Sequence, residues 1–432
     1  MRDLAAHIQA TPLADTHEHL GTHGVLAEQQ PDILRELFDG AYITAELVVA
    51  GAEPAAVERL VGASDPDIAG RFATVAPAWK CCQHAGYGEA LRLAAQIVYG
   101  IEELTPRTLA AAQARSVALR QPGVWLHLLK EVAKLDYVDV DDATWPCRPD
   151  PVAPEFFLND ISWAGFCSGE LPVPTIRDEV GVEVRDLESL RDAMTRIFAK
   201  YGPLAIAVKA QHAYNRTLQW QERADADVAP VLRKLLAGHE LSEPERLCLG
   251  DWCWARGVEL AIQHNLPFKM HTGYYAGQGY MILERTRPAH LCPLLVKYPK
   301  ARFVLMHAGY PFGPELLALA KHFPNVYVDL CWAWAMDPRT TMRFVREFLH
   351  AAPINKLFAF GGDCWWPPQT VGYAAQCRKW LTRTLQAEVD AGDLTEAQAS
   401  DAATRVMRGN QHECFDVAGR RKTLRAAAAS SG

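Results

Sequence analysis

Four apolar runs in this chain each stop on a residue able to ligate a metal. PFKMH ends at His271, RFVLMH at His307, NVYVD at Asp329 and KLFAFGGD at Asp363. Nearer the N-terminus, LADTHEH sets His17 and His19 two residues apart at the end of another apolar run, and LAIAVK ends in Lys209. Side chains alternate across a strand, so His17 and His19 face one way and Glu18 faces the other. A mix of imidazoles and carboxylates suits Zn, Fe, Mn or Ni and is too rich in nitrogen for Mg or Ca. One histidine closing an apolar run is an ordinary core residue. His17, His19, His271, His307 and Asp363, spread over separate strand ends, form a set.

The other strand-end residues carry more than one meaning. Lys209 is a structural lysine reaching a carboxylate, a group that binds substrate, or a lysine carbamylated by CO₂ that bridges two metals. A bridge of that kind makes a binuclear centre, with His271 and His307 on the second ion. Asp329 is either an acceptor that orients a ligating imidazole or a structural carboxylate. Asp363 follows Gly361 and Gly362, which let the backbone approach closely, and it can both ligate and act as a proton acceptor. Aromatic residues lie just past the same ends: Trp332 and Trp334, Trp365 and Trp366, Tyr274 and Tyr275, with Trp163 after the third strand. They predict a large apolar or aromatic substrate pocket. Arg216 and Arg285 are the few arginines near these loops, and Arg216 is taken as a substrate contact.

Ligands on separate strands converge only where those strands are parallel and end at one rim. Eight strand-like runs are present, beginning at Leu13–Asp15, Asp136–Val140, Glu155–Leu158, Leu204–Ala210, Leu266–Thr272, Ala301–His307, Asn325–Leu330 and Lys356–Gly362. The clear ones are almost continuously apolar, as parallel strands covered on both faces are. Helical periodicity fills the gaps. The pattern predicts an α/β fold, a (β/α)8 TIM barrel over 1–432 as a single domain. A long helical insertion follows strand 1, at about 28–135, with Thr105-Pro106 as one helix start. C-terminal helices pack outside the barrel.

Composition narrows the partners. A net charge of −7 over 432 residues and scattered basic residues argue against nucleic acid. No uncharged apolar run reaches the ~18 residues of a membrane span, and no signal peptide is visible. Eleven cysteines without paired spacing read as reduced thiols in a cytoplasmic protein. The expected partner is a small apolar or aromatic molecule, and the expected state is a homo-oligomer.

The segments DTHEH, VKAQHAYNRTL, HTGYYAGQG, RPAHLCPLLVKYPKARFVLMHAGYP, FPNVYVDLCW and FAFGGD together resemble the amidohydrolase superfamily. Within it, the chain is most similar to the amidohydrolase-related, uronate isomerase-like group. The resemblance implies a barrel with one or two divalent metals. It implies that His17 and His19 are first-strand ligands and that Lys209 is the strand-four position carbamylated in binuclear members. His271 and His307 match the histidines of strands five and six, and Asp363 the strand-eight aspartate. The implied reaction is hydrolysis of an amide, ester or lactone by metal-activated water, with Asp363 as proton shuttle and zinc as the metal. A non-haem diiron monooxygenase acting on a hydrophobic small molecule, with iron, is the alternative. Decarboxylation and uronate isomerisation are further ones, although the arginines that uronate carboxylates need are not evident.

Overall fold

A computed structural model describes residues 3–20, 28–40, 42–275 and 281–431. Eight strands pair in parallel in chain order: β1 Leu13–Glu18, β2 Leu135–Val140, β3 Phe157–Ser162, β4 Ala205–Ala210, β5 Phe268–Met270, β6 Phe303–Leu305, β7 Val326–Asp329 and β8 Leu357–Phe358. The sheet closes beyond the end of β8. Thr16 N donates to Phe360 O at 3.2 Å, Asp363 N to His17 O at 2.9 Å and His19 N to Cys364 O at 2.9 Å. These bonds tie the His17–His19 segment to the segment that carries Asp363. The fold is thus a TIM barrel.

The interior is layered. Ala14, Tyr137, Leu158, Val304 and Phe358 form an apolar floor with Phe415, Val417 and Leu424. The C-terminal helices therefore do not only pack outside, as the sequence reading had them. Their Phe415 and Leu424 cap the N-terminal mouth, where the inward apolar side chains would otherwise meet water. Above the floor lies a charged layer. Lys269 Nζ bonds Asp139 at 2.6 Å, Asp160 at 2.7 Å and the Thr16 carbonyl at 2.5 Å, all fully enclosed. A buried ammonium with two carboxylates and a carbonyl has its charge balanced and its donors used, which is what makes its burial tolerable.

Helical segments fill the chain between β1 and β2, from Ile33–Phe38 to Leu128–Val132. The helix Pro106–Ala118 begins at Thr105 with a capping box to Thr108. One strand differs from its sequence reading. EFFL yields to Phe157–Ser162, because Asp160, polar enough to read as loop, is turned inward to Lys269. No helix among the described residues is long and apolar enough to cross a membrane, and the eleven cysteines are unpaired.

Candidate metal centre

Three of the strand-end residues meet at one carboxylate oxygen. His17 Nε2 lies 3.4 Å and His19 Nε2 3.2 Å from Asp363 Oδ1. Lys209 Nζ sits 3.3 Å from His17 Nε2 and 3.8 Å from Asp141 Oδ2. The His271 and His307 rings are 4.3 Å apart, centre to centre. A cavity of about 180 Å³ opens among His17, His19, Lys209, His271 and Asp363, with Gln211 and Tyr214 completing its wall. Glu18 faces the other way. It accepts from Cys364 N and from the Thr370 hydroxyl on the helix Pro367–Ala391.

The glycines before Asp363 are required by this closeness. A Cβ on Gly362 would stand 2.0 Å from Glu18 Oε1, and one on Gly361 2.7 Å from the Thr16 hydroxyl and 2.8 Å from Cys331 Sγ. Backbone strain gathers at the same rim. His307, Ala308, Trp332 and Asp363 all have positive φ, at 64°, 52°, 63° and 56°. Each such residue costs on the order of 1 kcal/mol or more and persists only because its surroundings hold it.

Electrostatics leave most of the imidazoles neutral. Burial, then the charge of Lys209, pushes His17 well below the usual histidine range. Burial, then His307, does the same to His271. Burial lowers His307 to about 4, against the pull of Asp363. For His19, burial works downward, but the bond and charge of Asp363 outweigh it and raise the group. Burial likewise opposes ionisation of Asp363, yet its contacts with His17 and His19 hold it well below the carboxylate range. Asp363 thus acts unequally on the two rings: His19 is raised, and His17 stays well below the usual histidine range.

Neutral imidazoles and an ionised carboxylate are the forms that bind a metal. His307 Nδ1 bonds the Cys331 carbonyl at 3.1 Å, which fixes its tautomer and leaves Nε2 with a free lone pair. Among the described residues that Nε2 is buried without a hydrogen-bond partner, as are His17 Nδ1 and Asp141 Oδ2. Ligand atoms of His17, His19 and Asp141 lie within 4.8 Å of one another, and so do those of His307, Cys331 and Asp363. The residues therefore fit one or two divalent ions. His271 is less simply placed: its Nε2 bonds the Tyr274 carbonyl at 2.8 Å, so Nδ1 is the nitrogen left for an ion.

Asp329 does not orient an imidazole directly. Its Oδ1 accepts from Cys331 N at 2.8 Å, and Cys331 O in turn meets His307. Burial raises the Asp329 carboxyl to about 6. The aromatic residues divide. The Trp332 ring stands at 90° to His307 with centroids 5.4 Å apart and meets Tyr274 at 5.8 Å. Trp365, 53% exposed, has its ring 6.0 Å from that of His19.

Trp163, Trp334, Trp366 and Arg216 are turned elsewhere, which corrects their reading as substrate contacts. Trp163 stacks on Phe166 at 3.9 Å and donates to Cys253 O. Trp334 Nε1 donates to Ala359 O. Trp366 packs beneath the Arg35 and Arg120 guanidinium groups. Arg216 is buried against Asp251 at 2.6 Å and bonds the Cys167, Thr217 and Gln219 carbonyls. Four of its five N–H donors are spent inside the fold.

Sequence reasoning missed Asp141, Cys331, Gln211, Tyr214 and Tyr42. Asp141 had a signal: Asp139-Val140-Asp141 at the end of β2 repeats the period-two logic of His17 and His19. Tyr42 comes from the insertion and packs on Trp332 with ring centroids 4.4 Å apart; nothing in its neighbourhood in sequence marks it. Residues 276–279, which close the HTGYYAGQG motif, lie outside the described residues.

The amidohydrolase family model matches residues 224–406, the stretch that carries His271, His307, Asp329 and Asp363. That stretch, somewhat under half of the chain, is similar to the amidohydrolase family. Its fold agrees with that of uronate isomerase from Thermotoga maritima, at a TM-score of 0.77 and 14% identity over 95% of this chain and 96% of that one. Glucuronate isomerase from Caulobacter crescentus superposes at 0.78 with 15% identity over 96% and 93%. Likenesses at that identity speak for the barrel and its elaborations. In sequence, the chain is 30% identical over 227 residues to Protein fluG of Emericella nidulans, which is 50% of this chain and 26% of that protein. The match thus spans about a quarter of the fungal relative.

Proposed function

We propose that this chain is a metal-dependent hydrolase of the amidohydrolase superfamily, acting on an apolar or aromatic small-molecule amide, ester or lactone. The observation that carries the reading is the convergence of His17 and His19 on Asp363, with the lone pair of His307 left free beside them. His17, His19, His307 and Asp363 would hold the ion, with Asp141 or Lys209 completing a second position. A divalent ion held there supplies Lewis-acid activation of water and of a carbonyl.

The remaining work falls to the side chains. Asp363 Oδ1 takes both imidazole contacts, and its other oxygen is left to accept a proton from water and return it to the leaving group. His307, locked by Cys331 O, keeps its Nε2 aimed without a tautomer change. The small cavity admits the reacting group and has the Tyr214 ring in its wall, while Trp332 lies beside His307, Tyr274 beside Trp332 and Trp365 beside His19. Lys209 lies close to both His17 and Asp141, which supports reading it as the carbamylated bridge of a binuclear centre. Sugar-acid isomerisation is disfavoured, because Arg216 is committed to Asp251 and no arginine borders the cavity among the described residues. The substrate is taken to be a small molecule met in the cytoplasm by a homo-oligomer.

Metal analysis of protein purified without added metal, joined to a panel of aryl esters, anilides and lactones, tests this. Zinc at one or two per chain with turnover that disappears in Asp363→Asn is the expected result. Two irons per chain with O₂ consumption would overturn it in favour of oxygenation.

A further inference from the structure

The aromatic wall beside His307 contains two buried donors without an acceptor. Among the described residues, Trp332 Nε1 and the Tyr87 hydroxyl have no hydrogen-bond partner, and their residues are 2% and 5% exposed. Their rings stack, 5.9 Å apart at 18°. Tyr42 covers Trp332 from the insertion, and His307 stands edge-on to the same indole. Other buried indoles also lack a partner: Trp125, Trp254 and Trp366. Each of those has an arginine over its ring, Arg120, Arg216 and Arg35 respectively. Trp332 has none among the described residues and is the one that touches the metal set.

An indole N–H can only donate, so whatever satisfies it must be an acceptor. Leaving such a donor unmet in a low-dielectric wall is costly, and a ligand that meets it recovers that cost. Burial first, then neighbouring charges that include Glu46 and Asp363, keeps the Tyr87 phenol protonated and able to donate. Asp363, held ionised, repels an arriving anion. Tyr42, Tyr87, Tyr274 and Trp332 bring no positive charge to offset that repulsion.

We propose that Tyr87 and Trp332 form a specificity-determining donor pair that receives a neutral acceptor oxygen, carbonyl or ether, carried by an aromatic substrate and held beside His307. This rests on the reading that the substrate enters at the metal set.

The test is calorimetric binding to metal-free protein of three probes of like shape: acetophenone, ethylbenzene and phenylacetate. Wild type is expected to bind acetophenone about tenfold or more tightly than ethylbenzene, and phenylacetate least tightly. Trp332→Phe and Tyr87→Phe each narrow the gap between the first two, and the double variant closes it, with far-UV circular dichroism showing the fold retained. Equal binding of acetophenone and ethylbenzene, tightest binding of phenylacetate, no binding of any probe, or variants that keep the preference would each overturn the proposal. Binding without metal is independent of turnover. Failure on the ester and amide panel therefore removes the hydrolase reading alone, and failure here removes the donor pair alone.

Discussion

Arg216 separates a substrate contact from a structural one, and the two readings predict different measurements. Replacing it by Met keeps the length and apolar stem and removes every donor. Asp251 then loses its 2.6 Å partner and retains only Arg223, at 3.0 Å on its other oxygen. The Cys167, Thr217 and Gln219 carbonyls lose theirs as well. Removing one member of a buried ion pair costs about 3–5 kcal/mol, and the surviving Arg223 contact places this case near ~3 kcal/mol. With a urea dependence of ~3 kcal/mol per molar, the unfolding midpoint should fall by roughly 1 M. Circular dichroism against urea measures it, alongside metal content of the folded variant, which should match wild type. An unchanged midpoint together with lost substrate or metal binding would refute the reasoning and return Arg216 to the cavity.

Other outcomes follow from the same geometry. Asp363→Asn, which keeps shape but removes the charge that His17 and His19 share, should lower bound metal per chain by elemental analysis, with far-UV circular dichroism showing the fold retained. If Lys209 is the carbamylated bridge, adding bicarbonate during metal loading should raise stoichiometry from one toward two ions, and Lys209→Ala should stay at one regardless. Glu46, half-buried, is raised by burial to about 7. Its unfolded form ionises near pH 4.5, so the folded state is favoured by proton binding below that value and loses this advantage as pH rises through 7. Glu46→Gln should therefore match wild type near pH 4 and exceed it at pH 8 by about 1–2 kcal/mol, a figure reduced because solvent reaches part of the carboxyl. Denaturant titrations at the two pH values check it.

How much was legible in advance depended on whether a local rule governed the residue. His17 and His19 follow from strand alternation, and His271, His307 and Asp363 from ending apolar runs at a common rim. Those rules are properties of the chain itself. Asp141 obeyed the same rule and was overlooked. Trp163, Trp334 and Trp366 also follow strand ends, but a residue in the first turn after a strand can face the cavity or the surrounding helices, and only packing decides. Trp332 turned toward His307 with a positive φ; Trp334 turned to Ala359 O.

The sequence by itself determined the barrel, the rim and the ligand types, because parallel strands and period-two alternation act over a few residues. Tertiary structure alone decided which groups share an oxygen, which lie neutral, and which are spent elsewhere. Asp363 meets His17 and His19 across more than three hundred residues of chain, Arg216 in a loop finds Asp251 on the helix Glu243–Gln263, and Tyr42 and Tyr87 arrive at Trp332 from the insertion. Those are contacts between distant segments, set by how helices and strands close on one another, and no local pattern encodes them.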